Sequence, residues 1–244
     1  MNPDAIPLML LLLLGFVLGA GTTMVLWMIV WRHRVHIRQS PTQRAVEFTP
    51  LQIAYAPRPS RWLAIRSHHP QSIRAALGLD QFTPCPWVEG LTGGHGFFIG
   101  APVNGWIIVT GSGLPDPGND ADECFRFLTD LSRKVGHVQF FLAERVLQHH
   151  AWARVENGVV KRAYAWAGET VWNQGAKTAA ETDLSVKCFG YGDHPVADSW
   201  AATEWMAGNV AKVPLLAARW SLDPARIDVR HLRKHADGIA GDPL

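Results

Sequence analysis

One stretch decides the fold that this sequence predicts: Ala151-Trp-Ala-Arg-Val-Glu-Asn-Gly-Val-Val-Lys-Arg-Ala-Tyr164. Its central Asn-Gly dipeptide lies between two apolar-rich runs and is typical of a two-residue hairpin turn. Counting outward from the turn places Val155 opposite Val160 and Ala153 opposite Arg162, so that large residues face alanines across the strands. The stretch therefore predicts two antiparallel neighbours in a sheet.

A second Asn-Gly dipeptide, in Val103-Asn-Gly-Trp106, predicts another hairpin. Pro102 places its strand at a sheet edge or a bulge, because proline has no N–H to donate to a ladder. Between the hairpins, residues 121–135 carry an apolar stripe at helical spacing, with Asn119 as the predicted cap and Gly136 as the end. Hairpin-linked strands with separate helices favour the α+β class, a mainly antiparallel sheet covered by helices, which we expect on one face.

Other elements follow from the same periodicities. Apolar runs predict strands over residues 62–66, 137–143 and 170–174. Helical spacing and capping residues predict helices over 70–79, 178–189 and 199–213. We expect Pro214 to interrupt the last of these, because a proline inside a helix removes a backbone hydrogen bond.

The N-terminal part of the chain has a different character. Residues 6–31 contain no charged side chain, and 20 of these 26 positions are hydrophobic. As a helix they would span about 39 Å, more than the roughly 30 Å hydrocarbon core of a bilayer. A cleaved signal peptide, the alternative, requires a basic N-terminal region and a shorter apolar stretch. The pattern favours a retained transmembrane helix.

Aromatic and basic residues mark where this helix would leave the bilayer. The predicted membrane-interface residues are Trp27, Trp31, Arg32, Arg34 and Arg38. Residues 1–5 contain no Lys or Arg, so the positive-inside rule places them outside and the C-terminal domain in the cytoplasm. We therefore expect a single-pass protein of the inner (plasma) membrane, whose basic run is a topology signal or also contacts anionic lipid.

The rest of the chain divides by composition. Residues 32–60 are basic and contain prolines, as is typical of a linker. Residues 61–233 are numerous enough to form one domain with a single hydrophobic core. Residues 234–244 are expected to form a flexible tail. Beyond residue 44 the chain has 19 basic and 20 acidic residues, which argues against nucleic-acid binding. Gly15 and Gly19 form a small-xxx-small pattern through which two copies could dimerise.

Motifs with high specificity for catalysis are missing from the sequence, which has no P-loop, HExxH, CxxC or GxSxG. Gly93-Gly-His-Gly96 reads as a loop that needs positive φ, with His95 incidental. Weak candidates for a hydrolytic site near the second hairpin are His150, Cys124 and Glu169. Cys124 also falls on an apolar helix stripe, where a thiol acts as a small hydrophobe. The sequence predicts no metal site and no cofactor.

Tryptophan is unusually abundant, with 11 Trp against 3 Tyr. Core packing explains most of them, because each buried indole removes a large apolar area from water. An aromatic-lined groove is the alternative, with Trp106, Trp152 and Trp166 as candidate ligand-binding or partner-binding residues. The sequence thus predicts a membrane-anchored protein presenting a cytoplasmic domain that binds a protein or another ligand, without evident catalysis. A membrane-tethered hydrolase is the alternative.

Overall fold

The computed structural model describes residues 58–193, 200–227 and 237–242, which belong to one unit of the chain, Thr49–Leu244. The predicted transmembrane helix, the membrane-interface residues and the pattern formed by Gly15 and Gly19 lie outside the described residues. Within the described ranges, no helix is both long and apolar enough to cross a membrane.

The described strands form one sheet. They are β1 (Arg61–Arg66), β2 (Thr83–Cys85), β3 (Phe97–Ile99), β4 (Trp106–Thr110), β5 (His137–Glu144), β6 (His149–Glu156), β7 (Val159–Trp166), β8 (Thr170–Gln174) and β9 (Gly238–Gly241). Their spatial order is β2-β9-β3-β4-β1-β5-β6-β7-β8, and each neighbouring pair is antiparallel. The predicted α+β class and mainly antiparallel sheet are confirmed.

Helices cover both faces of this sheet. They are α1 (Pro70–Leu77), α2 (Trp87–Gly90), α3 (Ala121–Val135), α4 (Ala179–Asp183) and α5 (Trp200–Trp220), followed by a 3-10 turn (Pro224–Arg226). The α3 face has a core with α1 and α3, and the α5 face has a core with α2 and α5. The expectation of helices on one face is wrong, because strands such as β1 are buried on both sides and read as continuous apolar runs.

The hairpin that joins β6 and β7 has the predicted turn but a different register. Asn157 and Gly158 both have positive φ, 50° and 78°, and Val155 pairs with Val160 as expected. A bulge then shifts the pairing, so that Trp152 faces Tyr164 and Ala153 faces Ala163. The prediction of large residues opposite alanines is wrong, because the extra residue moves every later side chain of β7 to the other face of the sheet.

The other Asn-Gly turn is also present. Asn104 and Gly105 have φ values of 51° and 80°, and Val103 and Trp106 form a bridge across the turn. Strands β3 and β4 pair on the far side of an interruption that contains Pro102. Of the two predicted positions for Pro102, a bulge agrees with this pairing better than a sheet edge, since β3 lies between β9 and β4 in the sheet.

Several helix boundaries differ from prediction. The cap of α3 is Asp120, whose side chain accepts from the N–H of Glu123, rather than Asn119. Helix α4 ends at Asp183, well before residue 189, although its predicted capping box is present. Helix α5 continues through Pro214 to Trp220. Its packing on the sheet compensates the hydrogen bond that the proline removes.

Strand β9 lies within the segment expected to be a flexible tail. Gly238–Gly241 pair with both β2 and β3 and join these two strands into the sheet. A side chain at Gly238 would overlap the ring of Phe98, since its Cβ would lie 2.3 Å from Cε2. The glycine at position 238 is therefore required by close packing within the sheet.

Candidate functional site

A buried ion pair organises the α5 face beside β6 and β7. Arg162 Nε donates to Glu181 Oε1 at 2.8 Å, and both side chains are excluded from solvent. Trp152 Nε1 donates to the same oxygen at 2.8 Å, while Thr178 N–H and hydroxyl donate to Oε2. The other guanidinium nitrogens of Arg162 reach Asn173 Oδ1 and Cys188 Sγ. Each nitrogen of Arg162 and each carboxylate oxygen of Glu181 has a partner, so the network holds structure rather than presenting a reactive group.

His150 lies fully buried in the same core. Its Nδ1 donates to the carbonyl of Gln148, and its Nε2 accepts from Asn209 Nδ2 at 3.2 Å. Burial lowers the pKa of His150 to about 4, so the imidazole is neutral. With both ring nitrogens engaged, His150 has no free position for a substrate proton.

The three candidate hydrolytic residues do not form one site. Cys124 is fully buried in the core of the α3 face, and burial raises the pKa of its thiol to about 12. His150 lies against Trp152 and Tyr164 on the α5 face. Glu169 is exposed in the turn before β8. The sheet therefore separates the thiol from the imidazole.

Two of the candidate binding tryptophans lie in one buried cluster, and the third lies elsewhere. Trp152 and Trp166 are buried, 0% and 2% exposed, in an aromatic cluster with Trp205 and Phe189. Trp106 is half-buried and packs edge-on against His137 at 5.1 Å. These three side chains do not line a common groove.

A cavity of about 320 Å³ opens between the end of β5, helix α5 and the 3-10 turn. Its size lies at the lower end of the range for small-molecule sites. Trp62 of β1 lines it together with Val210 and Pro214 of α5. The indole stacks on Phe141 with 5.2 Å between ring centroids. The cavity therefore has an aromatic wall fixed by the sheet.

One side-chain polar group of the cavity wall lacks a hydrogen-bond partner among the described residues. Trp62 Nε1 is buried and has no hydrogen-bond partner among the described residues. Pro214, inside helix α5, has no N–H of its own and also lines the cavity. A side chain of the apolar wall therefore carries an indole donor without a partner among the described residues.

Charges of both signs surround the cavity. Arg58 and Arg145 are exposed, whereas Asp223 is 7% exposed and Glu144 is half-buried. Burial raises the pKa of Asp223, and the bond that Oδ1 accepts from the N–H of Ala225 opposes that rise. The balance of two arginines and two carboxyls suits a neutral or zwitterionic ligand.

Sequence reasoning missed a second group of chemically capable residues. The side chains of Cys85, Glu89 and His95 come together in the segment between β2 and β3. The sequence predicted no metal site, and it treated His95 as incidental to a glycine loop. The usable signal was the local spacing of a thiol, a carboxylate and an imidazole within eleven residues.

Comparison with known proteins found no matching family model, no matching curated protein and no matching solved structure. Functional inference for this chain therefore rests on the geometry of its own residues.

Proposed function

We propose that this chain is a single-pass membrane protein whose cytoplasmic α+β domain binds a ligand in the Trp62 cavity. The anchor is inferred from the uncharged, apolar residues 6–31 and the basic residues that follow them. The observation that carries the binding proposal is Trp62, whose side chain lines the cavity and whose buried indole N–H lacks a partner among the described residues.

The chemistry of the cavity limits what would bind there. A buried donor without an acceptor costs about 1–3 kcal/mol, which a ligand carbonyl recovers. The wall formed by Trp62 and Pro214 favours a flat apolar group. The ligand is then a small amide or zwitterion with an aromatic or aliphatic body, either free or as part of a protein partner.

Ligand-observed saturation-transfer NMR tests this on the full chain in detergent micelles. N-acetylphenylalaninamide and a fragment library of aromatic amides serve as probes. We expect specific transfer that Trp62→Phe weakens about tenfold, since one hydrogen bond of about 1.4 kcal/mol is lost. Trp106→Phe, which changes a tryptophan outside the cavity, should bind as the unaltered chain does. Absence of binding by the library, or equal binding by Trp62→Phe, would contradict the proposal.

Topology has a separate test. A reporter joined after Leu244 should be active only in the form that functions in the cytoplasm. Deletion of residues 6–31 should release the protein from membranes at high pH, because the predicted hydrocarbon-spanning segment is gone. A reporter active on the outer side would overturn the orientation, and retention of the deletion variant would overturn the anchor.

The hydrolase alternative gains no support from the described residues. Cys124 and His150 lie on opposite faces of the sheet, and His150 is held neutral with both nitrogens engaged.

A further inference from the structure

Three side chains with metal-binding atoms converge where the chain passes from β2 to β3. Cys85 Sγ lies 3.5 Å from His95 Nε2, and Glu89 Oε1 lies 3.4 Å from the same nitrogen. All three donor atoms lie within 4.8 Å of one another. No residue of this group lines the Trp62 cavity, so the site is independent of the proposed ligand-binding function.

The way these atoms meet distinguishes an ion site from a catalytic relay. In a nucleophile–imidazole–carboxylate relay, the thiol and the carboxylate engage different ring nitrogens of the histidine. Here both approach Nε2 of His95. Three donor atoms around one point form a coordination geometry and not a proton pathway.

The separations match those of a tetrahedral ion. With Zn–S of about 2.3 Å and Zn–N of about 2.0–2.1 Å, tetrahedral angles put sulfur and nitrogen about 3.6 Å apart. The corresponding nitrogen–oxygen separation is about 3.3 Å. The observed 3.5 Å and 3.4 Å match these two separations.

The backbone around His95 is held from two sides. Its carbonyl accepts from the N–H of Ser112 at 2.9 Å, and the carbonyl of Gly96 accepts from Gly113 at 2.8 Å. The N–H of Gly96 donates to Asp242 Oδ1 at 2.8 Å. Gly111 has a φ of 139°, and a Cβ there would lie 2.2 Å from the oxygen of Gly96. The imidazole is thus positioned by a fixed loop.

The carboxylate is positioned by the short helix α2. Gly90, next to Glu89, packs so closely on Phe98 that a Cβ would lie 2.1 Å from the ring. The hydroxyl of Thr110 donates to the carbonyl of Gly90 at 2.8 Å inside the core. The turn that carries Glu89 is therefore anchored to the sheet while its side chain stays 55% exposed.

The thiol is the buried member of the group. Cys85 is 2% exposed and pairs with Gly238 of β9, which places Asp237 next in the chain. Burial, together with the charges of Glu89 and Asp237, raises the pKa of the Cys85 thiol to about 12. The same two carboxylates that disfavour a thiolate favour a cation at this point.

We propose that Cys85, Glu89 and His95 bind one divalent transition-metal ion, with zinc as the ion that best fits a sulfur, nitrogen and oxygen ligand set. A water molecule or the carboxylate of Asp237 completes the coordination. On binding, the metal–sulfur bond replaces the S–H bond of Cys85, and one proton passes to solvent.

Titration of the metal-free full chain in detergent with Co²⁺ tests the ligand set. We expect one ion per chain and a thiolate-to-cobalt charge-transfer band that Cys85→Ser abolishes. Cys188→Ser, a change at a half-buried thiol outside the site, should keep the band. Absence of the band, or its persistence in Cys85→Ser, would overturn the proposal.

Two variants outside the buried core, at exposed Glu89 and half-buried His95, control for loss of folding. Glu89→Gln and His95→Gln should each weaken Zn²⁺ binding by about tenfold or more, with unchanged far-ultraviolet circular dichroism. Calorimetry in buffers with different ionisation enthalpies should show one proton released per Zn²⁺ bound. Unchanged affinity in either variant, or no proton release, would show that these three residues are not the ligands. Loss of these signals would leave binding at the Trp62 cavity unaffected, so the two proposals fail separately.

Discussion

The two faces of the sheet are packed by different kinds of side chains. On the α3 face, β6 and β7 contribute Ala151, Ala153, Ala163 and Ala165, against which α3 packs through aliphatic side chains. On the α5 face, the same strands contribute Trp152, Tyr164, Trp166 and the ionised Arg162. The first face is stabilised by shape and apolar area, and the second also requires every polar partner to be present.

The largest expected effect comes from breaking the ion pair on the α5 face. Glu181→Ala leaves Arg162, 2% exposed, without its carboxylate. We expect unfolding to require about 3–5 kcal/mol less free energy, because a buried charge is left uncompensated. Denaturant unfolding followed by tryptophan fluorescence measures this, with the exposed Glu169→Ala as a near-neutral control. A loss below about 1 kcal/mol would mean that water solvates Arg162.

Removal of an aliphatic side chain from the α3 face should cost somewhat less. Leu128 is fully buried on α3, and Leu128→Ala should lower stability by about 2–5 kcal/mol through a cavity. Leu147→Ala, at an exposed turn, is the matched control. The loss should be the same above and below the ordinary pKa of histidine. A pH-dependent loss would mean that the two faces are coupled.

Lowering the pH should destabilise the protein through His150, which is buried on the α5 face. His150 has a pKa of about 4 when folded and an ordinary value of 6.5, so between these values the unfolded chain binds the additional proton. Stability is therefore complete above pH 6.5 and falls by about 3 kcal/mol as the pH approaches 4.

Denaturant unfolding over this pH range checks the expectation. His150→Gln should flatten the dependence, leaving a smaller slope from His137, whose pKa is lowered mainly by burial. His69→Gln, at an exposed position, should leave the slope unchanged. An equally steep slope in His150→Gln would assign the acid sensitivity to other groups.

The smallest expected effect is the difference in stability loss between the same substitution at two buried tryptophans. Trp152 Nε1 donates to Glu181, whereas Trp62 Nε1 has no partner among the described residues. Replacement by Phe removes similar ring area at both positions, so the difference reports on the N–H. We expect Trp152→Phe to cost at least about 1 kcal/mol more than Trp62→Phe in ligand-free protein. Equal losses would mean that the Trp62 donor has an acceptor after all.

The sequence predicted the hairpins and the sheet class because turn chemistry and apolar periodicity are local. The bulge in β7 was missed, although alanines alternate in both strands and would have paired alanine with alanine. Uninterrupted counting placed Arg162 with Ala153, on the aliphatic α3 face. In the observed register Arg162 is buried on the α5 face, where Glu181 compensates its charge, and no local pattern in the strands predicts that partner.

The candidate sites were less accessible to sequence reasoning. Trp62 is distinguished by the cavity that α5 and the 3-10 turn leave open beside it, which is a tertiary property. The Cys85, Glu89 and His95 group was partly visible, since its spacing is local. Its convergence depends on the backbone bonds from Ser112 and Gly113 to the His95 loop, which no local pattern reveals.

The ends of the strand order affect how copies of this chain meet. One edge, β2, has three residues including Pro84, and proline offers no donor to an incoming strand. At the other edge, β8, the hydroxyl of Tyr191 accepts from the N–H of Asn173 at 2.8 Å and covers the ladder. Neither edge therefore favours pairing with a strand of another chain. Proteins confined to a membrane plane, as proposed for this chain, collide often with other copies of themselves. Edges that disfavour strand pairing would keep such encounters from becoming aggregates.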